Sequence, residues 1–473
     1  MTETGKFAPI SERESGLRRG LGKTQIVMIG LGGAIGTGLF MGSGLAIGYA
    51  GPAVILSYAL AGFVALVMVF SLSEMAVVHP TAGSFGTYAE TYLNPWAGFV
   101  VRYTYWIAQV IAIGGEAVAA GLYMGLWFPG VPVWMWACGF CVVLLYFNLR
   151  SVSNFGTIES WFALIKVAAI VLFIILGAAS LFGAGHLAAG LHNLTGLPGG
   201  FLPKGLPGVW MAVIVGIFSF NGIEVIAVTS GEARDPQVAI PAALRSMLLR
   251  LFLFYVLAVT IIVTATPWTA TGVKVVAQSP FVSVFQHSGI AHAAGVMNFV
   301  VISAALSSMN TNIYLCARML FSLSRGHYAP RKLGDLGRRG TPVAAVLVSG
   351  AGILVSAAVS IVTPNAYGYL LGVALFAAIL VWIFILLSHL SFRRQHPASE
   401  LPVRMPLFPW MQLAGLLMLA AILVTMGLDA NLYVSWVYGV PWLILISAGY
   451  FLWRAHRRRA GPPHAAVRAA PPA

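Results

Sequence analysis

Two short segments place helix-breaking glycines and polar residues inside stretches that are otherwise apolar. The first is Gly33-Ala34-Ile35-Gly36-Thr37-Gly38, and the second is Phe218-Ser219-Phe220-Asn221-Gly222-Ile223-Glu224. Because an unpaired backbone group is costly in hydrocarbon, unwound backbone at membrane depth persists only where protein or a watery cavity satisfies it. Two such breaks therefore predict a site for a solute.

The first break is suited to an anion. Gly36 and Gly38 permit close backbone approach, and Thr37 adds a hydroxyl. The half-helix that begins near Leu39 would offer free N–H groups and the positive end of its dipole, so a carboxylate would bind against residues 35–38, from Ile35 onward. Packing of small residues between helices is the alternative explanation of the glycines, and the second break favours binding.

The second break is suited to a cation. Carbonyl groups freed around Phe218 to Asn221, beside Gly222, would accept hydrogen bonds from an ammonium group. Phe218 and Phe220 either cover the solute as an aromatic gate or pack in the ordinary way. Together the two breaks predict a site for a zwitterion, with N–H groups for its carboxylate and C=O groups for its amine.

Three ionisable residues fall deep inside predicted spans, where such residues are costly and mark functional sites. Lys166 either carries a proton through a transport cycle or stands as a permanent structural cation between helices. Glu116 and Glu224 are carboxylates that could relay protons, and Glu116 could instead face the polar end of the solute. Both could also be protonated acids that form hydrogen bonds between helices.

A polar stripe follows the eighth predicted span and comprises Ser303, Ser307, Ser308, Asn310, Thr311 and Asn312. It either lines the solute path, with Ser307 as the candidate contact, or serves as hydrogen-bonding glue between helices. Three other carboxylates, Glu74, Glu90 and Glu159, fall near predicted helix ends, where we expect surface or loop-bracing roles.

Composition places these residues in a membrane protein. The 473 residues are 59% hydrophobic and 8% charged, with a mean hydropathy of +0.88, whereas about 25% of the residues in soluble domains are charged. Twelve apolar runs are long enough to cross a hydrocarbon core of roughly 30 Å as helices. The predicted spans are 24–49, 53–76, 95–125, 131–149, 158–182, 208–231, 243–266, 289–324, 341–362, 365–390, 407–428 and 432–454.

The formal charge of +14 at pH 7 is explained by basic loops, which mark the cytoplasmic side of a membrane protein. Only Lys204 and Lys274 fall in loops on the far side, and clusters such as Arg338-Arg339 lie on the side that both termini share. We therefore expect a multi-pass protein of the plasma (inner) membrane with both termini cytoplasmic. The partners expected from this pattern are the lipid bilayer and its anionic lipids, not nucleic acid.

The breaks fall in spans one and six. Because this offset of five helices is odd, the second unit would cross the membrane in the opposite direction to the first. Residues 24–182 and 208–390 would then form two inverted repeats of five helices, with helices 11 and 12 at 407–454 and tails at 1–23 and 455–473. The predicted fold class is an all-α integral membrane protein with twelve transmembrane helices. Its short loops leave no room for a catalytic or nucleotide-binding domain, and we expect no cofactor and no metal.

Four segments carry a family resemblance: Gly32 to Phe40, Pro80 to Phe85, Glu159 to Val167, and Gly231-Glu232-Ala233 with Asp235-Pro236. In this order they resemble the amino acid transporter family of the amino acid–polyamine–organocation superfamily, over about residues 20–455. The likeness implies a twelve-helix permease that imports an amino acid with a proton by alternating access. Among such proteins the chain is similar to bacterial permeases for aromatic amino acids, proline and gamma-aminobutyrate.

The resemblance also implies roles for individual residues. Residues Ile35 to Gly38 would hold the carboxylate of the amino acid, and Phe218 to Gly222 its amine. Lys166 would match the membrane-embedded lysine of the fifth helix, and Glu224 the acidic position just after the break in the sixth. The sequence sets neither the particular amino acid nor the oligomeric state.

Other functions remain open at this point. A sodium-coupled symporter or an antiporter would use the same scaffold, although Lys166 in the cation position argues against sodium. A channel would need a continuous polar pore, and a non-transporting sensor would need only the binding site. An enzyme is the least favoured class, because no cluster of histidine and carboxylate is apparent and His79 and His389 are expected at the membrane interface.

Overall fold

The computed structural model describes residues 12, 17, 19–149, 152–183, 187–271, 279–287, 293–363, 366–429 and 432–459. Within these ranges the chain is helical, and the one strand-like contact is a parallel bridge between Leu21 and Ala233. The predicted all-α fold class is therefore confirmed. Most of the two predicted tails, and Lys274, lie outside the described residues.

The helices follow the apolar runs of the sequence. In chain order they are α1 (Lys23–Ala34), α2 (Thr37–Phe40), α3 (Gly42–Ala50), α4 (Val54–Val78), α5 (Ser84–Tyr92), α6 (Pro95–Met124), α7 (Val133–Asn148), α8 (Val152–Gly183), α9 (Leu187–Thr195), α10 (Gly205–Ser219), α11 (Val225–Thr229), α12 (Pro236–Ala265), α13 (Trp268–Thr271), α14 (Pro280–His287), α15 (Ala293–Arg325), α16 (Val343–Val362), α17 (Ala366–Gln395), α18 (Trp410–Leu428) and α19 (Val434–Arg459).

Eight segments among the described residues are long and apolar enough to cross a membrane: Gly42–Val78, Pro95–Met124, Gly156–Ala179, Gly295–Arg325, Val343–Val362, Ala366–Gln395, Trp410–Leu428 and Val434–Arg458. Shorter apolar helices cover Val133–Asn148, Gly205–Ser219 and Phe252–Ala265. The chain is thus a multi-helix membrane protein. The count of twelve spans remains a prediction.

Local sequence explains where two of the long helices begin. Asn94 precedes α6 and accepts a hydrogen bond from the backbone N–H of Ala97 at 2.9 Å, and Asp235 accepts one from Val238 before α12. In both helices proline occupies the first position, where its fixed φ suits the helix and its missing N–H costs nothing. These caps set the first turns of two helices that surround the breaks.

The long helices divide into a central and a peripheral group. Helices α15 and α6 are mostly buried inside the protein, whereas α18 and α19 are mostly exposed on its surface. Helix α1 packs against α8, α12 and α15, and α10 packs against α3 and α4. The interrupted helices therefore lie among packed helices, away from the surface that α18 and α19 leave exposed.

Both predicted interruptions are present. Helix α1 ends at Ala34, the extended residues Ile35 and Gly36 follow, and α2 begins at Thr37. Helix α10 ends at Ser219, residues 220–224 leave the helix, and α11 begins at Val225. Gly222 has a φ of +97° and faces the backbone carbonyl of Gly33, so neither its conformation nor its surroundings admit a side chain.

We expect Gly222→Ala to destabilise the protein. The fold requires a positive φ at this position, which costs about 1–3 kcal/mol for an L-residue. The added methyl group would also overlap the Gly33 carbonyl. A lower midpoint of thermal unfolding of the purified protein in detergent would show this. Gly139→Ala is the matched control, because a Cβ there meets no atom within 4 Å, and equal midpoints for the two variants would contradict the expectation.

Candidate solute-binding site

Side chains satisfy the carbonyl groups that the first break leaves free. The Lys166 ammonium donates hydrogen bonds to the carbonyls of Gly32 and Ile35, the latter at 2.8 Å. The Tyr255 hydroxyl donates to the carbonyl of Ala34 at 2.7 Å. Buried donors therefore bind three carbonyls at the end of α1 and just after it, and they replace the intrahelical partners that the break removes.

A carboxylate accepts from the other side of the same break. The backbone N–H of Thr37 donates to both carboxylate oxygens of Glu116, each at 3.2 Å. The Ser308 hydroxyl donates to Glu116 at 3.3 Å, and the Thr37 hydroxyl lies 3.4 Å from the Tyr367 hydroxyl. The backbone N–H predicted to bind a solute carboxylate is therefore in contact with a carboxylate of the protein itself.

Glu224 supports the second break. Its carboxylate accepts from the backbone N–H of Gly222 at 2.8 Å and from the indole N–H of Trp382. The Ser219 hydroxyl donates to the carbonyl of Gly38 at 2.7 Å, which links the second break directly to the first. Asn221 keeps its side-chain oxygen buried without a hydrogen-bond partner.

A polar cavity lies between the two breaks. Its lining comprises Gly33, Ala34, Gly36, Gly38, Ala112, Glu116, Phe218, Ser219, Asn221, Ser308 and Asn312. Asn312, like Asn221, presents a buried side-chain oxygen that has no partner. The cavity measures about 10 Å³, roughly the space of one water molecule, so binding of a larger solute requires the breaks to move apart.

The structure separates the predicted binding residues into three groups, the last of which is the pair Phe220 and Ser307. Gly36, Gly38, Glu116, Phe218 and Asn221 line the cavity. Three more contact the side chains that bind the broken backbone. Ile35 holds Lys166 through its carbonyl, Thr37 binds Glu116, and Gly222 binds Glu224.

Phe220 and Ser307 face away from the cavity. The Phe220 ring packs on Tyr255, with ring centroids 4.7 Å apart, and the Ser307 hydroxyl donates to Glu159. The polar stripe of α15 therefore has two faces. Ser308 and Asn312 line the cavity, whereas Ser307 and Asn310 bind Glu159.

The expectation of a surface or loop-bracing role near a helix end is wrong for Glu159. Glu159 is fully buried, and its carboxylate lies against Gly32 of α1. His389 is also fully buried and lies 2.7 Å from Glu74, which further accepts from Arg393 and from the backbone N–H of Met405. Glu74 does brace a loop, as expected, because it binds the backbone at Met405. It does so from the interior of the protein, where Glu74 of α4 contacts His389 of α17.

Several residues of the site escaped the sequence analysis. Tyr255, Tyr367 and Trp382 each point a polar atom at the breaks or at a residue that supports them. The available signal was weak, because aromatic residues with a polar tip are common in membrane helices. Only the packing of α12 and α17 around the breaks reveals which of them take part.

A membrane protein whose buried polar cavity lies between two interrupted helices has the organisation of a secondary transporter. Known proteins agree with this class. The amino acid permease family matches residues 25–460, so the chain belongs to that family, and the resemblance in its motifs is confirmed.

Two relatives indicate how far the likeness extends. The chain is 38% identical over 458 residues to the uncharacterized amino acid permease YtnA of Bacillus subtilis, covering 95% of this chain and 98% of that protein. It is 40% identical over 439 residues to the aromatic amino acid transport protein AroP of Escherichia coli, covering 92% and 95% respectively. The family match over residues 25–460 includes the two breaks and the residues of the site.

We expect Gly38→Ala to weaken solute binding. A Cβ at this position would lie 2.9 Å from the Ser219 Cα and 3.0 Å from the Phe218 carbonyl oxygen, so the added methyl group would occupy part of the cavity that Gly38 lines and displace the backbone of the second break. The affinity for the transported amino acid should fall at least tenfold, about 1.4 kcal/mol. Equilibrium binding to the purified protein measures this.

The control is Gly42→Ala, whose Cβ would make an ordinary contact at 3.7 Å with Val215. Wild-type affinity in Gly38→Ala would remove this glycine from the site.

Proposed function

We propose that the protein is a proton-coupled amino acid permease that imports a neutral, aromatic or gamma-amino acid across the plasma membrane by alternating access. Its termini would lie in the cytoplasm, and residues 24–182 and 208–390 would form the two inverted repeats. The observation that carries the proposal is the contact of the Glu116 carboxylate with the Thr37 N–H, beside a cavity with two unpartnered side-chain oxygens. Carboxylate and amine partners thus meet in one place.

The solute carboxylate would take the position that Glu116 holds in this structure. Two carboxylates cannot share one N–H donor without strong repulsion, because like charges at short distance are costly at low dielectric. A protonated Glu116 would instead become a hydrogen-bond donor and leave the N–H to the solute. Proton binding and amino acid binding would therefore favour each other.

The amine of the solute would face the second break. The side-chain oxygens of Asn221 and Asn312 and the carbonyls at 218–221 are acceptors without a cation. Phe218, which lines the cavity, would cover the solute. The name of the relative AroP supports an aromatic amino acid among the candidates, and uptake competition with a panel of amino acids and gamma-aminobutyrate tests this directly.

Lys166 favours a proton over sodium as the coupling ion. Its ammonium already binds the Gly32 and Ile35 carbonyls, the type of oxygen ligand that a sodium ion would require at an unwound helix. Loss of the proton from Lys166 would weaken its bonds to these carbonyls, because the charge is lost, and protonation of Glu224 would weaken its bond to Gly222. The protonation state of each residue would thereby affect the conformation of the break that it binds.

We expect Glu116→Gln to flatten the dependence of uptake on pH. In the wild-type protein, initial uptake should rise as the pH falls, because protonated Glu116 no longer competes with the solute for the Thr37 N–H. The glutamine carries no charge at any pH, so its uptake should change little over the same range. Initial rates in proteoliposomes without a membrane potential measure this, and a wild-type pH profile in the variant would exclude the competition.

We expect Lys166→Ala to abolish accumulation driven by a proton gradient, while exchange of internal for external amino acid persists. Accumulation ratios in proteoliposomes, with and without a proton uncoupler, give the answer, and replacement of sodium distinguishes the sodium-coupled alternative. Lys204→Ala, which removes an exposed lysine, serves as control. Proton-driven accumulation in Lys166→Ala at the wild-type ratio would remove this lysine from the coupling.

A further inference from the structure

Glu159 is a buried carboxylate to which the proposed function assigns no role. It lies seven residues before Lys166 on α8, two helical turns or about 10 Å along the axis, and it is fully buried. Burying an ionised carboxylate costs several kcal/mol unless its partners compensate. The hydrogen-bond partners of Glu159 therefore indicate whether its carboxyl group can be buried in the ionised form, the protonated form or both.

One oxygen of Glu159 faces a donor whose orientation is fixed. The side-chain amide of Asn148 donates to the carbonyl of Leu144 at 3.1 Å and to the side-chain oxygen of Asn310 at 2.8 Å. Because a backbone carbonyl only accepts, the Asn148 nitrogen is fixed, and so is the oxygen of Asn310 that faces it. The Asn310 nitrogen consequently points at Glu159 and donates to its Oε2 at 3.0 Å.

The other oxygen faces a partner that can reverse its role. The Ser307 hydroxyl donates to Oε1 of the ionised Glu159, but a hydroxyl can also accept. If Glu159 binds a proton on this oxygen, its new O–H can donate to Ser307. Both protonation states of Glu159 are therefore hydrogen-bonded without any rearrangement of the helices.

Glu224 provides the contrast within the same protein. Its described partners are the N–H groups of Gly222 and Trp382, neither of which can accept a hydrogen bond. Neither partner can accept from the new O–H if Glu224 binds a proton. Of the two buried carboxylates, Glu159 is the one whose surroundings accommodate a proton that comes and goes.

Helix α1 covers Glu159 and joins it to Lys166. A Cβ on Gly32 would overlap the Glu159 carboxylate, and the carbonyl of the same glycine accepts from the Lys166 ammonium. Among the described side chains, Lys166 is the charged group that interacts with Glu159. The next charged residue along α15, Arg318, is paired with Glu232 at 2.8 Å, and α1 carries no charged residue after Lys23.

We propose that Glu159 carries the transported proton on the cytoplasmic side of Lys166, and that Gly32 controls its access to water. While α1 lies against α8, the carboxylate is sealed. When α1 moves away to release the amino acid, Lys166 loses its carbonyl acceptors and Glu159 is exposed, so the proton passes to cytoplasmic water. This inference depends on the proposed proton-coupled transport.

The test is Glu159→Gln in proteoliposomes. The glutamine keeps the size of the side chain and an oxygen for Asn310, but it cannot bind and release a proton. We expect the accumulation ratio under a proton gradient to fall to about one, the value for carriage without coupling, while exchange of internal for external amino acid continues. The control is Asp335→Asn, which removes one negative charge from an exposed position and should accumulate as the wild type does.

A wild-type accumulation ratio in Glu159→Gln, with the wild-type protein itself driven by the proton gradient, would overturn the role of Glu159 alone. Absence of a proton effect in the wild-type protein would instead overturn the proposed function. If Glu159→Gln fails to insert, Glu159→Asp replaces it, since aspartate can still bind a proton but lies one methylene further from Ser307 and Asn310. At a fixed external pH, the midpoint of its accumulation against internal pH should then shift from the wild-type midpoint, and coincident midpoints would overturn the inference.

Discussion

The structure depends on one constraint: backbone groups that leave a helix inside hydrocarbon must find partners in the protein. The two breaks free carbonyls at Gly32, Ala34 and Ile35 and N–H groups at Thr37 and Gly222. Each of these groups is bound by a side chain: Lys166, Tyr255 and Glu116 come from other helices, and Glu224 comes from the second break itself. The ionisable residues at membrane depth therefore lie where the broken backbone requires them, and the same broken backbone compensates their burial.

This arrangement places the proposed solute site in direct contact with the residues that bind the broken backbone. The breaks lie close together at Gly33 and Gly222 and at Gly38 and Ser219, and the Ser219 hydroxyl binds the Gly38 carbonyl. A solute that enters the small cavity must separate the breaks. Separation changes the contacts of Lys166, Glu116 and Glu224 together, because each of them holds one edge of a break.

Buried ion pairs away from the cavity also connect particular helices. Arg318 of α15 binds Glu232, just after α11, and its guanidinium lies 3.8 Å from the centre of the Tyr314 ring. Residue 232 also accepts from the backbone N–H of Leu21, before α1. Such pairs add little net stability, but they are costly to break one partner at a time. These contacts hold the start of α1 and the end of α11 in a fixed arrangement.

The sequence by itself determined the membrane class, the helical fold, the family and the two breaks, because apolar run length and glycine-rich interruptions are local properties of the chain. It also indicated Lys166, Glu116 and Glu224, since an ionisable residue inside an apolar run stands out wherever the helix packs. Only the tertiary structure decided that Ser308 faces the cavity while its neighbour Ser307 faces Glu159, and that Phe218 lines the cavity while Phe220 packs on Tyr255. Adjacent residues of a helix point about 100° apart, and which direction meets the cavity depends on how the helix is rotated against its neighbours. The burial of Glu159 and His389 has the same origin, because distance from a helix end does not say which other helices cover it.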